Sequence, residues 1–184
     1  LGRCHENAAF HFKGKNYSGK AIEYLKELIK YDSNLNLDKY TVKSSGKAIL
    51  TKDFTTISQH YKPFLEALKT DSVKILEEIK TSNLRGRGGA GFPMGMKLEF
   101  CRKEENKNKF IICNADEGDP GAYSDRYLLE KQPHTVLFGM LVAGYVTHAS
   151  HGILYIRAEY PEAARIVQKA IDELRMEGLL GENI

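Results

Sequence analysis

Two short polar phrases contain the residues of this sequence that are best suited to binding a charged or planar ligand. The first is LRGRGGAGFP, residues 84–93, and the second is NADEGDPG, residues 114–121. Successive glycines permit positive φ angles and close backbone approach, so N–H groups in the first phrase can converge on an anion. The carboxylates and the amide of the second can hydrogen-bond to hydroxyl groups and rings. Together the two phrases predict a nucleotide or flavin site.

The glycine phrase matches the pattern G-x-G-x-x-G at Gly86, Gly88 and Gly91, but its context differs from that of a dinucleotide fingerprint. That fingerprint follows a strand, whereas residues 72–79 have the pattern of a helix. The phosphate-loop pattern also fails, because Met96 stands where it requires Lys. A flexible glycine connector or a single RGG-type RNA-binding unit would account for the same residues.

Basic and aromatic side chains accompany the glycine phrase. Arg85, Arg87 and Lys97 bring positive charge to the place where a phosphate would lie. Phe92 and Phe100 lie on either side of the predicted start of the next helix, where they could stack on a planar base. Packing in the core is the commoner role for two isolated aromatic residues, and it stays open here.

The acidic phrase comes directly after an apolar strand predicted over 109–113. Its polar members are Asn114, Asp116, Glu117 and Asp119. Ligands of open α/β sheets bind at the carboxyl ends of strands, where these side chains could accept hydrogen bonds from ribose or ribityl hydroxyls. Two alternatives stay open. Hard oxygen ligands suit magnesium or calcium, and Asp-Gly-Asp-Pro-Gly is also ordinary turn chemistry with solvated carboxylates.

Hydrophobic periodicity predicts the elements that must position these phrases. Helices are expected over 61–68, 72–79, 95–102, 134–146 and 161–177, and strands over 109–113 and 152–157. Asp71 is a candidate N-cap, and Pro161 suits a first helical turn. Strand, turn, helix, strand and helix in this order predict an α/β fold with parallel strands.

The first part of the chain has a different pattern. A short hairpin is predicted over 8–17 and an amphipathic helix over 20–31. Residues 32–60 are polar and irregular, and 43–47 are the best linker candidate. The composition therefore predicts a boundary near residue 45.

Composition limits the functional classes. Over 184 residues, the chain is 42% hydrophobic and 28% charged with a net charge of +3, which is typical of a globular protein and gives no support to nucleic-acid binding. No apolar run approaches the roughly 18 residues of a membrane span, so we predict no membrane insertion. Cys4, Cys101 and Cys113 are too few for a complete cluster or zinc site and suit a reducing compartment.

Read in order, the phrases resemble a known family. LRGRGGAGFP, Lys97 and CNADEGDPGAY-DR (residues 113–126), followed by RAEYP (157–161) and GLLGENI (178–184), are similar to the NADH- and FMN-binding subunit of respiratory complex I. The same module occurs in NAD(P)-linked and electron-bifurcating hydrogenases and in formate dehydrogenases. The resemblance implies a Rossmann-like FMN-binding domain with a parallel sheet. It also implies that this chain holds only part of that domain.

The first residues resemble the end of a thioredoxin-like [2Fe–2S] domain, in which Cys4 would be a metal ligand. The resemblance therefore implies three regions: a remnant of that ferredoxin domain over 1–31, a linker over 32–59, and the N-terminal part of the FMN/NADH-binding domain over 60–184. The [2Fe–2S] and [4Fe–4S] clusters are expected only in a complete parent protein.

The implied function is that of an NAD(P)H dehydrogenase flavoprotein subunit. Hydride would pass from NAD(P)H to FMN, and electrons would then pass to iron–sulfur clusters. The expected partners are other subunits of a complex I-like or hydrogenase complex. The expected location is cytoplasmic, at the inner face of the membrane where partner subunits hold it there. The chain alone is expected to be inactive, and a non-catalytic nucleotide-binding or subunit-docking fragment is the alternative.

The resemblance also assigns the candidate cofactor-binding residues. Those implied for FMN and the glycine loop around it are Gly86, Arg87, Gly88, Gly89, Lys97, Asn114, Asp116 and Glu117. Those implied for the nicotinamide dinucleotide are Phe92, Phe100 and Asp119, with the phenylalanines stacked on adenine. Met94 stands where Thr is commoner in the family. No acid–base residue is expected, so the histidines His134, His148 and His151 should be structural or exposed.

Overall fold

The computed structural model describes residues 10–12, 15–17, 26–27, 30, 45–87, 89–119 and 122–181. Strands β1 (Phe10–Phe12) and β2 (Lys15–Tyr17) pair antiparallel, which confirms the predicted hairpin. The predicted helix over 20–31 lies largely outside the described residues, and its described residues Lys26, Glu27 and Lys30 are helical. Cys4 also lies outside them.

From residue 57 onward, three helices precede the first of two strands, two helices connect the strands, and one helix follows them. In chain order the elements are α1 (Ile57–Ala67), α2 (Ser72–Thr81), α3 (Met94–Lys103), β3 (Phe110–Ala115), α4 (Ser124–Lys131), α5 (Pro133–Thr147), β4 (His151–Ile156) and α6 (Pro161–Met176). Asp71 caps α2 by accepting from the Val73 N–H at 2.8 Å, as the sequence predicts.

Strands β3 and β4 pair in parallel, with Phe110 opposite His151 and Ala115 opposite Ile156. This register brings the carboxyl ends of the two strands to one edge of the sheet, and it confirms the predicted α/β fold class. One face of the sheet is open in the described part of the chain, where Ile112 is 64% and Tyr155 61% exposed.

Helix α5 is the central element of residues 57–176, because it packs against α1, α2, α3, α4 and α6 and against both strands β3 and β4. Its apolar residues belong to three buried clusters. The first joins α5 to α1 and α6 around Leu137 and Leu174, and the second joins it to α2 and α3 around Val146. In the third, Val136 packs against buried side chains of β3, α4 and α6. The sequence predicts this core helix because residues 136–146 are apolar on most sides. Among the helices in the described part of the chain, none is long and apolar enough to cross a bilayer.

Two boundaries and one whole helix differ notably from the prediction, and the other boundaries shift by at most two residues. Helix α1 begins at Ile57 instead of residue 61, inside the segment expected to be linker, because the Thr56 hydroxyl caps it by accepting from the Gln59 N–H at 3.2 Å. Strand β3 continues to Ala115, so Asn114 lies in the strand and not in the turn. Helix α4 was not predicted at all.

Candidate functional site

The glycine phrase forms a closed loop between α2 and α3. Arg85 and Pro93 form an antiparallel bridge, and the Gly86 N–H donates to the Phe92 carbonyl at 2.9 Å. The Arg85 guanidinium also donates to the Gly91 carbonyl at 3.0 Å. The loop is therefore tied at its base, which argues against a flexible connector.

Glycine is required at two described positions of this loop. Gly89 has φ +104° and Gly91 has φ +59°, values that side chains rarely adopt. A Cβ at either position would meet no atom within 4 Å, so the backbone at both is open on that side. The loop can thus bring its backbone against a large ligand. Gly88 lies outside the described residues.

The charged and aromatic candidates of this half of the site are solvent-accessible. Arg87 and Lys97 are exposed. Phe92 is 41% and Phe100 52% exposed, and their ring centroids lie 6.4 Å apart at an interplanar angle of 50°. Packing in the core, the commoner role of such aromatics, is therefore wrong for both residues. Two exposed rings on one side of α3 suit a stacking role better.

The acidic phrase forms a turn at the carboxyl edge of the sheet. The exposed Asn114 side chain accepts from the Asp116 N–H at 3.1 Å, and the Gly118 N–H donates to the Asp116 carbonyl at 3.0 Å. The Asp116 carboxylate is half-exposed and Asp119 is exposed. These three side chains can therefore reach a ligand.

Glu117 differs from its neighbours, since only 7% of it is exposed. Its Oε1 accepts from the Ser124 hydroxyl at 2.9 Å and the Asp125 N–H at 3.0 Å, and its Oε2 accepts from the Arg126 N–H at 3.3 Å and the Tyr160 hydroxyl at 3.3 Å. The carboxylate thus caps helix α4 and contacts the start of α6. The alternative of solvated acidic side chains is wrong for Glu117.

Residues after β4 hold the same turn from the neighbouring strand. The Arg157 guanidinium donates to the Glu117 carbonyl, donates to Glu159 Oε1 at 3.1 Å and lies 3.8 Å from Asp116 Oδ1. The Tyr160 ring has the Arg126 guanidinium at 5.5 Å and that of Arg157 at 5.6 Å. Burial and the nearby Glu117 raise the pKa of Tyr160 to about 12, so it keeps its donor proton at neutral pH.

Two other acids of this region also have raised pKa values. Burial and then the charge of Glu117 raise the pKa of the Asp125 carboxyl. Burial and then Asp125 raise the pKa of the Cys113 thiol, which disfavours a reactive thiolate. Within the described residues, no three His, Cys, Asp or Glu side chains are grouped so as to hold a metal ion.

The histidines are structural or exposed, as the sequence predicts. His134 is 6% exposed, and its Nε2 lies 3.0 Å from Glu173 Oε2 while its carbonyl accepts from the Tyr61 hydroxyl at 2.9 Å. His148 and His151 are exposed.

The two halves of the site rest on a common support. Helix α5 packs against α3, which follows the glycine loop, and against β3, which precedes the acidic turn. The sequence did not single out Tyr160, Arg126 or Ser124 as partners of the turn. The RAEYP phrase after β4 was the available signal, because parallel strands end at the same edge.

A family model described as the Nuo51 FMN-binding domain matches residues 79–182, which is more than half of the chain. The chain belongs to this family. The match begins near the end of α2 and includes the glycine loop, the acidic turn and both parallel strands, so the two phrases belong to one FMN-binding domain.

Known proteins of two kinds resemble the chain. The NADP-reducing hydrogenase subunit HndC of Solidesulfovibrio fructosivorans is 46% identical over 124 residues, which are 67% of this chain and 25% of that protein. The mitochondrial NADH-ubiquinone oxidoreductase 51 kDa subunit of Neurospora crassa is 44% identical over 113 residues, 59% of this chain and 23% of that protein. The chain thus spans about a quarter of the length of these curated relatives.

A solved structure extends the comparison to the fold. The air-oxidised NAD+-reducing [NiFe]-hydrogenase matches with a TM-score of 0.77 and 29% identity, over 97% of this chain and 33% of the hydrogenase chain. The likeness agrees with the Rossmann-like α/β class of the Nuo51 FMN-binding domain family.

The described residues fit an FMN ligand in two respects. The open backbone at Gly89 and Gly91 suits a phosphate, and the exposed Lys97 lies on α3, the helix that follows this loop. The exposed oxygens of Asn114 and Asp116 suit ribityl hydroxyls at the carboxyl edge of a parallel sheet.

Proposed function

We propose that this chain is the flavin- and nicotinamide-binding part of an NAD(P)H-linked oxidoreductase subunit. The observation that carries the proposal is the acidic turn at the carboxyl edge of a parallel sheet, in a chain that also contains the tied glycine loop of an FMN-binding domain. The names of the relatives support an NAD(P)H-linked reaction within a multi-subunit hydrogenase or complex I-like assembly.

The proposed contacts divide between the two phrases. Residues of the glycine phrase and α3 bind the phosphate of FMN, and the acidic turn orients its ribityl chain and ring. The residues proposed to contact FMN are Gly86, Arg87, Gly88, Gly89, Lys97, Asn114 and Asp116. The resemblance also assigns Glu117 to the flavin site, where its carboxylate is buried within the turn. The exposed rings of Phe92 and Phe100 stack on the adenine of the dinucleotide, and Asp119 contacts its polar groups.

The protein's part in the reaction is to bind and orient. Bound FMN supplies a hydride acceptor that can release electrons singly to iron–sulfur clusters. The site residues hold the nicotinamide and flavin rings in contact, and that proximity is what the protein adds. Asp116, Arg87 and Lys97 bind the cofactors without transferring a proton, because hydride transfer requires none of these side chains to act as an acid or base.

The assembly and its location are part of the same proposal. Other subunits of a complex I-like or hydrogenase complex receive the electrons, and Cys4 is a [2Fe–2S] ligand in the parent protein. We place the domains at 1–31, 32–59 and 60–184, as the sequence resemblance implies. The free thiols Cys101 and Cys113 suit a reducing, cytoplasmic location.

Titration with FMN tests the proposal. The 184-residue chain, and the longest reading frame that contains it, are titrated while flavin fluorescence is followed. We expect saturable quenching, and we expect Lys97→Gln to weaken binding roughly tenfold or more, because a charge-assisted hydrogen bond is lost. Lys74→Gln, at an exposed position on α2, is the matched control. The proposal would be overturned if neither the unmodified 184-residue chain nor the longer reading frame bound FMN saturably.

A further inference from the structure

The acceptor capacity of the Glu117 carboxylate is filled by its own chain. A carboxylate offers about four lone-pair sites. Four donors point at this one: the Ser124 and Tyr160 hydroxyls and the N–H groups of Asp125 and Arg126. The side chain is also buried. A ribityl hydroxyl would have to displace one of these donors in order to bind Glu117.

Two of the groups that hold the turn come from the junction between β4 and α6. Tyr160 is 2% exposed, and its hydroxyl reaches the Glu117 carboxylate across the edge of the sheet. Arg157 donates to the Glu117 main-chain carbonyl and faces the Asp116 carboxylate. The side chain and the main chain of Glu117 are therefore each held from the neighbouring strand. These contacts fix the orientation of the neighbouring residue Asp116, whose carboxylate remains exposed.

We propose that Tyr160 and Arg157 are positioning residues for the flavin site, and that Glu117 is their anchor in the turn and not a flavin ligand. Through Glu117 they fix the path of the turn, so that Asn114 and Asp116 face the ligand in one orientation. The inference deepens the proposed function and rests on it for its ligand. Its structural half, that Tyr160 orders the turn, can be measured without flavin.

The first test is Tyr160→Phe, which removes the hydroxyl and keeps the ring that the two guanidinium groups contact. Hydrogen exchange of the Asp125 and Arg126 amides, measured without FMN, should accelerate at least several-fold, because Glu117 loses one of the contacts that hold it at the start of α4. Tyr155→Phe, on the exposed face of β4, is the matched control and should leave these amides unchanged. Unchanged exchange in Tyr160→Phe would overturn the positioning role.

The second test is a double-mutant cycle on FMN affinity in the longest reading frame that contains the chain. Tyr160→Phe and Glu117→Gln should each weaken FMN binding about tenfold, as expected for a hydrogen bond to a charged group. The double variant should be hardly weaker than either single one, because both changes break the same link. Multiplied effects, near a hundredfold, would mean that Glu117 contacts the flavin independently and would overturn the anchor role.

Two further readouts separate positioning from simple stability. If Tyr160 only stabilised the fold, the folded fraction of Tyr160→Phe would bind FMN with unchanged affinity and an unchanged visible spectrum, and that result would contradict the inference. Arg157→Lys should retain more affinity than Arg157→Met, because Lys keeps a charged donor. If the unmodified protein binds no FMN, the proposed function fails, while the exchange rates still decide whether Tyr160 holds the turn.

Discussion

A Cβ atom on Gly95 would lie 2.9 Å from the Cα atom of Lys80 and 2.6 Å from its Cγ atom. The first turn of α3 therefore lies directly against the backbone near the end of α2. The Lys80 side chain could move, but its Cα cannot do so without moving α2. This contact fixes the base of the glycine loop, which connects the two helices, and so fixes the position of Lys97 and Phe100 on α3.

We expect Gly95→Ala to destabilise the protein by about 1–3 kcal/mol, because the added methyl group overpacks a backbone contact. It should also weaken FMN binding, since α3 must shift. Chemical denaturation and FMN titration measure the two effects. Gly139→Ala, within α5 and with no atom near the new Cβ, is the control and should be neutral or stabilising by about 0.5–1 kcal/mol. Equal stability of the two variants would contradict the overpacking argument.

The elements with local signals could be predicted from the sequence. Asp71 before α2 and Pro161 at the start of α6 mark the beginnings of their helices through chemistry within a few residues. Helix α4 has no such signal, because no side chain adjacent to it caps its first turn. Its N–H groups donate to Glu117, which lies across the turn. A cap supplied from outside the usual capping position is not visible in a propensity pattern.

The candidate site likewise has features that could be predicted from local sequence and others that could not. The glycine loop and the acidic turn were predicted because each is a continuous phrase whose chemistry is local. The contacts of Arg157 and Tyr160 with Glu117 depend on the parallel pairing of β3 and β4, which brings distant residues to one edge. The solvent exposure of the two phenylalanines could not be predicted from the sequence either. Phe92 and Phe100 look like core residues by type, and only the packing of α3 shows them on the surface.

Phe100→Ala should separate binding from stability. Because the ring is 52% exposed, its removal should cost less than about 1 kcal/mol of unfolding free energy. If the ring stacks on adenine, the apparent KM for NADH of the longest reading frame that contains the chain should rise roughly tenfold. The control is Leu98→Ala, on the buried side of the same helix, which should cost about 2–5 kcal/mol. An unchanged KM in Phe100→Ala would contradict the stacking role.

The pH dependence of stability should include a contribution from His148. Partial desolvation of the ring and then the charges of Arg102 and Lys109 lower the pKa of His148, although Asp71 opposes them. A lowered pKa means that protonation is less favourable in the folded state. The contribution of His148 to stability is therefore present above about pH 6.5 and is lost as the pH falls through the lower folded value. The effect is modest because the side chain is exposed.

His148→Asn isolates this contribution, because Asn tolerates the left-handed backbone that His148 adopts at φ +61°. We expect the unfolding free energy of the variant to fall less than that of the unmodified protein between about pH 7.5 and about pH 5.5. Part of the slope should persist in both, since burial also lowers the pKa of His60. Identical slopes would show that His148 does not contribute.

Thr56→Ala tests whether the folded unit includes the start of α1, within the segment 32–59 that the sequence predicts to be linker. The Thr56 hydroxyl accepts from the Gln59 N–H, and loss of such a cap costs about 1 kcal/mol. Thr55→Ala changes an exposed neighbour of the same type and should cost less than about 0.5 kcal/mol. Because α1 packs against α5, its loosening should lower the midpoint of the whole cooperative transition. Equal midpoints for the two variants would instead mean that the first turn of α1 belongs to the linker.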